Sequence, residues 1–363
     1  MADLGARVVK VEEPALGDPV RFSPPVREGV GALGGILLAG IESVALDLKD
    51  PGGREVLERL LARADVLLES FRPGTLARLG FPPEELRRRF PSLVICSLTG
   101  WGQSGPYKAR AGHDLTYQAA AGTLASTVAI PAVPVADLIG GWSAVTAILA
   151  ALVERQRTRQ GRWIDASLYD AGLHANLIGW AVEAGGAKGV GEPLPLTGAL
   201  PCYDIYETAD GRRLALGALE PHFWQRLCHA VDRGDLARRQ YSASPRVRRR
   251  VRELIRGRTL AQWMEIVGRE DIPAEPILSA AEARVHPQAV ERALLSTGPD
   301  HQPRLAFPAR FDGERPRPGG PVPELGEHTK ALLAELGVPR DIETSPGVGR
   351  RFSLRRWLRT VLR

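Results

Sequence analysis

Val44-Ala45-Leu46-Asp47-Leu48 is followed almost at once by Asp50-Pro51, and the pair decides how the chain is read. The first segment is mostly apolar and reads as a buried strand. Asp50-Pro51 then opens a helix, because Pro at an early helical position has no N–H to lose. Val56, Leu57, Leu60, Leu61 and Ala64 recur at helical spacing. Val66-Leu67-Leu68 is the next strand, Arg72-Pro73-Gly74 a turn, Pro82 to Phe90 a short helix and Leu93-Val94-Ile95-Cys96 another buried strand. Strand, helix and strand repeated in this way predict parallel βαβ units and an α/β fold.

The pattern continues outward in both directions. Val8, Val9 and Val11 predict an earlier strand. Pro131 and Pro134 hold the segment Ile130 to Val135 extended. Asp137 to Arg155 reads as a long, mostly apolar helix, Trp163 to Leu168 as a strand and residues 169–184 as a helix. Residues 185–200 are rich in Gly and Pro and read as a linker. A hairpin follows, from Tyr203 to Thr208 and from Leu214 to Gly217 around Ala209-Asp210-Gly211. Short helices run to about residue 285, residues 299–325 are Pro-rich and extended, and Gly326 to Leu336 is a last helix. The expected domains are a large one over 1–185, a smaller α+β one over 186–289, a return segment over 290–340 and a basic tail over 341–363.

The chain has 363 residues, 44% of them apolar and 25% charged, which is ordinary globular usage with ample material for a core. Lys and Arg number 48 against 42 Asp and Glu. Six of the arginines lie in residues 350–363, which leaves 42 bases against 42 acids in residues 1–349. The basic balance therefore gives no support for nucleic acid as a partner. Cys96, Cys202 and Cys228 are odd in number and lack metal-like spacing, which predicts a reducing, cytoplasmic compartment. The longest apolar stretch, Trp142 to Val153, is short of the roughly 20 residues of a membrane span, so no span is expected.

Four residues could carry acid–base chemistry. His113 stands in Gly112-His113-Asp114 after a Gly-rich segment; there it can be a general base or a solvated loop histidine. Asp114 beside it could orient the ring. Asp137 stands at the predicted start of the long helix, where Asp is also a preferred N-cap. The Gly140-Gly141 pair beyond it permits close approach of a ligand or another backbone. Glu220 precedes Pro221 at a predicted helix start and has the same capping alternative. The arginine cluster from Arg246 to Arg258 reads as a solvated helix face. The sequence carries no phosphate-loop, dinucleotide or metal motif, and Ser104 lacks the second Gly of a nucleophile elbow.

An ordered set of short motifs adds to this. It includes Ala2-Asp3-Leu4-Gly5, Ser43-Val44-Ala45-Leu46-Asp47-Leu48-Lys49, Phe71-Arg72-Pro73-Gly74, Gly100-Trp101-Gly102-Gln103-Ser104-Gly105-Pro106, Gly112-His113-Asp114, Ala136-Asp137, Leu219-Glu220-Pro221 and Gly326-Glu327-His328-Thr329. Together they resemble the class III CoA-transferase family, and within it the alpha-methylacyl-CoA racemase branch. The resemblance implies a large Rossmann-like domain, a smaller domain and an interlocked homodimer, with Glu220 approaching His113 from the second copy. It implies an acyl-CoA substrate, with coenzyme A held by Leu46, Asp47, Leu48, Lys49, Arg72, Gly112 and Tyr117 and no metal. His113 points to the racemase branch, in which His113 and Asp137 exchange the proton alpha to the thioester. Glu220 and Asp114 would tune His113, and N–H groups near Asp137 would hold the enolate oxygen. In the transferases of the family the position of Asp137 is the acyl-accepting nucleophile.

Several departures carry expectations of their own. The family is expected to have a further strand and helix before Ala2-Asp3-Leu4-Gly5. On that expectation a central strand is missing here, and either the start codon is misassigned or the chain is an impaired copy. Gly40-Ile41-Glu42 stands where a basic cluster is expected, and Glu13 lies near an expected Arg, which would weaken the hold on CoA phosphates. Trp142 replaces an expected Gly and would narrow the acyl pocket. Leu354, Trp357, Leu358 and Val361 fall at helical spacing in the tail, which reads as dispensable or as a basic amphipathic helix.

Overall fold

The computed structural model describes residues 1–27, 30–125, 130–186, 195–298, 300–316 and 320–338. The elements that position the site are, in chain order, β1 (Val9–Glu12), β2 (Glu42–Ala45), α1 (Pro51–Leu61), β3 (Val66–Glu69), α2 (Pro83–Arg89), β4 (Val94–Thr99), α3 (Asp114–Ala120), α4 (Val135–Thr158), β5 (Trp163–Ser167), α5 (Leu168–Ala175), α6 (Leu177–Ala184), β6 (Tyr203–Glu207), β7 (Arg213–Gly217), α7 (Pro221–Ala230), α8 (Pro245–Arg256), α9 (Leu260–Glu270), β8 (Ala274–Pro276) and α10 (Thr329–Glu335). The chain is a mixed α/β protein, as its alternating pattern predicts.

It divides into two compact units. The first holds Met1–Arg110, Gly141–Ser167 and the described residues from Arg284 on. Its βαβ strands are parallel, with β1 paired to β2 and the order β3-β4-β5 in a separate sheet; two short antiparallel pairs, Val26–Arg27 with Val30–Gly31 and Leu295–Thr297 with Pro303–Leu305, complete it. Asp50 caps α1 by accepting the Gly52 N–H at 2.7 Å, with Pro51 at the first helical position. One side of α1 buries Leu57 and Leu61 over Leu93 and Ile95; Val56 packs with Val44 and Leu46. Each such side chain contributes about 1.5–3 kcal/mol by leaving water. Strand β2 ends at Ala45, earlier than the expected Leu48, because Asp47 begins a turn: its carboxylate accepts the Lys49 N–H and its carbonyl the Asp50 N–H.

A buried ion pair ties this unit together. Arg21 donates twice to Glu12, at 2.9 and 2.7 Å, and Ser43 Oγ donates to the same carboxylate at 2.6 Å. Arg21 also reaches the Pro323 carbonyl at 2.7 Å, joining the start of the chain to its far end. Burial works upward on the Glu12 carboxyl, yet the Arg21 and Ser43 donors overcome it and hold it below the usual carboxylate range.

The second unit holds Ala111–Gly140 and Leu168–Ala283. It contains an antiparallel sheet of order β8-β7-β6, in which β6 and β7 form the expected hairpin. Trp224 and Trp263 are fully buried, and each indole N–H donates to a carbonyl, of Leu236 and Ile255 respectively. Helix α8 buries Val247, Val251 and Ile255 and turns its arginines outward, several onto carboxylates such as Asp204 and Glu207. The arginine cluster is thus a solvated, ion-paired face. The expected helix over 169–184 is two helices, broken at Asn176, whose side-chain amide donates to the Ala121 carbonyl. A Cβ on Gly172 would lie 3.1 Å from Ala121 Cβ, so α5 packs closely against the end of α3.

Helix α4 is 24 residues long, and its best window has a mean hydropathy of 1.7. By length and composition alone it is long and apolar enough to cross a membrane, as the core helix of a water-soluble protein can also be. Half of the expected linker, residues 187–194, and the arginine tail lie outside the described residues.

Candidate active site

His113 is the N-cap of α3, with extended backbone angles. Thr116 Oγ1 accepts the His113 N–H at 3.0 Å and donates to its carbonyl at 2.7 Å, which pins the backbone and leaves the residue exposed. The chain can reach this position only because residue 112 is glycine. A Cβ there would lie 2.4 Å from the ring of buried Tyr117. Asp114, the first helical residue, sits where the helix dipole favours a carboxylate.

Asp137 arrives from α4, inside the same unit. The helix begins at Val135, so Asp137 is its third residue and not the N-cap. Its backbone N–H donates to Asp114 Oδ1 at 3.1 Å. The next N–H, of Leu138, donates to the Pro134 carbonyl at 3.0 Å. The N–H groups of Asp137 and Leu138 are thus both engaged within the chain. Asp114 Oδ2 accepts the side-chain amide of Gln118 at 2.6 Å, so one carboxylate is held at both ends.

The Asp137 carboxyl is pushed above the usual Asp range. Burial of the group contributes most, the Asp114 charge adds to it, and His113 opposes both. The residue as a whole keeps an exposed surface. The shift therefore belongs to a crowded, partly open carboxyl and not to a sealed core. On the following turn Gly140 is packed against Leu168, and Gly141 faces open space.

The remaining predicted residues are distributed as follows. Glu220 is the N-cap of α7, but its side chain makes no capping bond and the residue is exposed. Among the described residues no bond joins it to His113 or Asp137. Leu46, Asp47, Leu48, Lys49 and Arg72 lie in the first unit, beyond the carboxyl ends of β2 and β3. Leu46 is buried in the core beside Val44 and Val56, so its side chain serves packing. Lys49 and Arg72 are exposed. Glu42, at the place of an expected basic residue, is bound by Arg7 at 2.7 Å, and Arg7 also holds Glu335 of α10. Trp142 is half-exposed, with its ring 5.5 Å from that of Phe307. A hollow in the second unit lined by Ala215, Gly217, Phe223 and Glu275 contains none of the acid–base residues. Sequence reasoning missed Thr116 and Gln118; the spacing of four between Asp114 and Gln118 on a helix was the available signal.

The sequence profile of CoA-transferase family III matches residues 1–329. The chain belongs to CoA-transferase family III. This family member is 33% identical to the alpha-methylacyl-CoA racemase of Homo sapiens, over 94% of this chain and 89% of that protein. It is 29% identical to the acetyl-CoA:oxalate CoA-transferase of Acetobacter aceti, over 93% of this chain and 91% of that protein. Its fold is similar to the crystal structure of a CAIB/BAIF family protein from Brucella suis, with a TM-score of 0.80 and 30% identity, covering 92% of this chain and 93% of that one. The family is enzymatic and includes racemases and CoA-transferases.

Proposed function

We propose that this family member epimerises 2-methyl-branched acyl-CoA thioesters. The observation that carries the reading is the joining of two helix starts, His113-Asp114 and Asp137, by the hydrogen bond from the Asp137 N–H to Asp114. That bond brings two acid–base groups of different kinds into one unit. The thioester carbonyl acidifies the alpha C–H. Neutral His113 takes that proton, leaving an enolate, and the Asp137 carboxylic acid returns one to the opposite face. The reverse direction runs from Asp137 carboxylate and imidazolium. A raised Asp137 pKa serves this chemistry, since it keeps more of the carboxyl available as an acid near neutral pH. A single base would return the proton to the side it left.

The same reading includes a second copy of the chain. Helix α4 buries Ala136, Ala144, Ile148 and Ala151 along one side, yet Leu138, Trp142, Leu149 and Val153 are bare on another. Exposed apolar side chains gathered along one helix suit an interface. In our proposal a second copy covers them in an interlocked dimer whose large domains are Rossmann-like. Glu220 reaches His113 across that dimer; among the described residues its side chain makes no capping bond. Exposed Lys49 and Arg72 meet the CoA phosphates. Buried, unpaired Cys96, Cys202 and Cys228 suit the cytoplasm.

The test uses one pure epimer of a 2-methylacyl-CoA with no other acid present. Inversion to a mixture of epimers supports the reading. A second reading, favoured by the similarity to the Acetobacter transferase, has the Asp137 carboxylate attack the acyl carbonyl, expel the CoA thiolate and form a mixed anhydride. Hydroxylamine would trap that anhydride on Asp137. Acyl transfer that requires an added acid, with a trapped Asp137, would replace the first reading by the second.

A further inference from the structure

Gln118 has no place in the chemistry above, yet it is almost fully buried, with 2% of its surface exposed. It lies one helical turn after Asp114 on α3. Its side-chain amide donates to Asp114 Oδ2 at 2.6 Å while Asp114 Oδ1 accepts the Asp137 N–H at 3.1 Å. A carboxylate held by a single donor is free to rotate about its last bond. Held at both oxygens, it has one orientation. A buried, charge-assisted bond of this kind is strong, and the glutamine carbonyl cannot replace its amide as donor.

We propose that Gln118 is a positioning residue for this site: its amide locks the Asp114 carboxylate in the orientation that ties the start of α4, and hence Asp137, to the start of α3. The inference rests on the epimerase reading for its consequence in catalysis, but its geometry stands apart from that reading. The charges that reach the Asp137 carboxyl are those of Asp114 and His113, both from the start of α3. Gln118 sets the position of the first of them. Without the lock Asp114 turns away, Asp137 loses a fixed negative neighbour, and its carboxyl ionises more readily.

The experiment compares wild type with Gln118→Met, which preserves volume, and Gln118→Leu, which likewise has no donor. Proton exchange at the alpha carbon is followed across pH. Both folded variants should lose about ten-fold or more in kcat with KM for the acyl-CoA nearly unchanged, and the acidic limb of the profile should move to lower pH. A packing role alone would leave the Met variant with the wild-type limb, and that result overturns the proposal. A second readout needs neither variants nor activity. In wild type with isotope-labelled glutamine, the Gln118 side-chain amide protons should exchange slowly and shift as Asp114 titrates. Rapid exchange without such a shift also overturns it. If wild type shows protected, titrating amide protons but no alpha-proton exchange, the epimerase reading fails and the positioning geometry stands.

Discussion

The backbone N–H of Asp137 donates to the carboxylate of Asp114 at 3.1 Å, so the third residue of one helix is fastened to the first residue of another. Asp114 thereby does two things at once. It satisfies a donor in the first turn of α4, and it sets a negative charge beside the carboxyl of Asp137. Replacing it by Ala should destabilise the chain by about 0.5–2 kcal/mol, the range for a lost helix cap. Thermal unfolding and the pH dependence of activity check this together. Asp137 should titrate lower in the variant.

Asp137 itself stores instability. Its folded pKa lies above its unfolded value of about 3.9. The folded state therefore keeps its full stability below that unfolded value and loses some as pH rises through the raised one. Asp137→Asn should raise the unfolding midpoint at pH 7, lose that advantage in acid, and abolish activity. Melting curves at the two pH values check the sign. A variant that is less stable at neutral pH would contradict the burial account.

The Glu12–Arg21 pair behaves in the opposite sense. The Glu12 carboxyl is held below the ordinary value of about 4.3, so its contribution is present above that pH and is lost as pH falls through the depressed pKa. Glu12→Gln leaves Arg21 buried without its counter-charge and should cost about 3–5 kcal/mol. Denaturant unfolding measures the loss, which should shrink in acid, where wild type also gives up the pair.

Two neighbouring glycines separate packing from access. A Cβ at Gly140 would meet Leu168 Cδ2 at 2.4 Å, whereas one at Gly141 meets nothing within 4 Å. Gly141→Ala should therefore stabilise α4 by about 0.5–1 kcal/mol. It should also raise KM for the acyl-CoA if substrate approaches this turn. Gly140→Ala forces Leu168 to move and should destabilise. Paired melting and steady-state measurements check both.

Much of this was legible in the sequence where local chemistry decides. Asp50-Pro51 announced the start of α1, and the apolar spacing from Val56 to Leu61 announced its buried side. The hairpin from Tyr203 to Gly217 followed from its turn. The long helix was legible in kind but not in its start, since Pro134 left Val135 and Ala136 free to join it. The end of β2 was hidden because Asp47 leaves the strand for a turn that only its own hydrogen bonds reveal. His113, Asp114 and Asp137 could be singled out one by one. Their connection could not, because the bond between Asp114 and Asp137 spans 23 positions and depends on how α3 and α4 meet. Gln118 differs: its bond lies within α3 at a spacing of four from Asp114, but the burial of its amide could not be read from that spacing.

The bare side of α4 makes a separate prediction. Leu149→Glu and Val153→Glu place charge on residues that are exposed in the single chain, so each variant should fold. If a second copy covers this face, both should shift the protein from dimer to monomer in sedimentation and reduce activity. A monomeric wild type would contradict the dimer.

The central claim is that His113 and Asp137 exchange the alpha proton of a 2-methylacyl-CoA. It is tested most directly by incubating the protein with that thioester in deuterated water and following deuterium at the alpha carbon by mass spectrometry. The account predicts uptake by wild type, and in His113→Ala and in Asp137→Asn loss of uptake into the epimer whose alpha proton faces the replaced residue, while both still bind the substrate. Substrate that binds wild type and gains no alpha deuterium would contradict it.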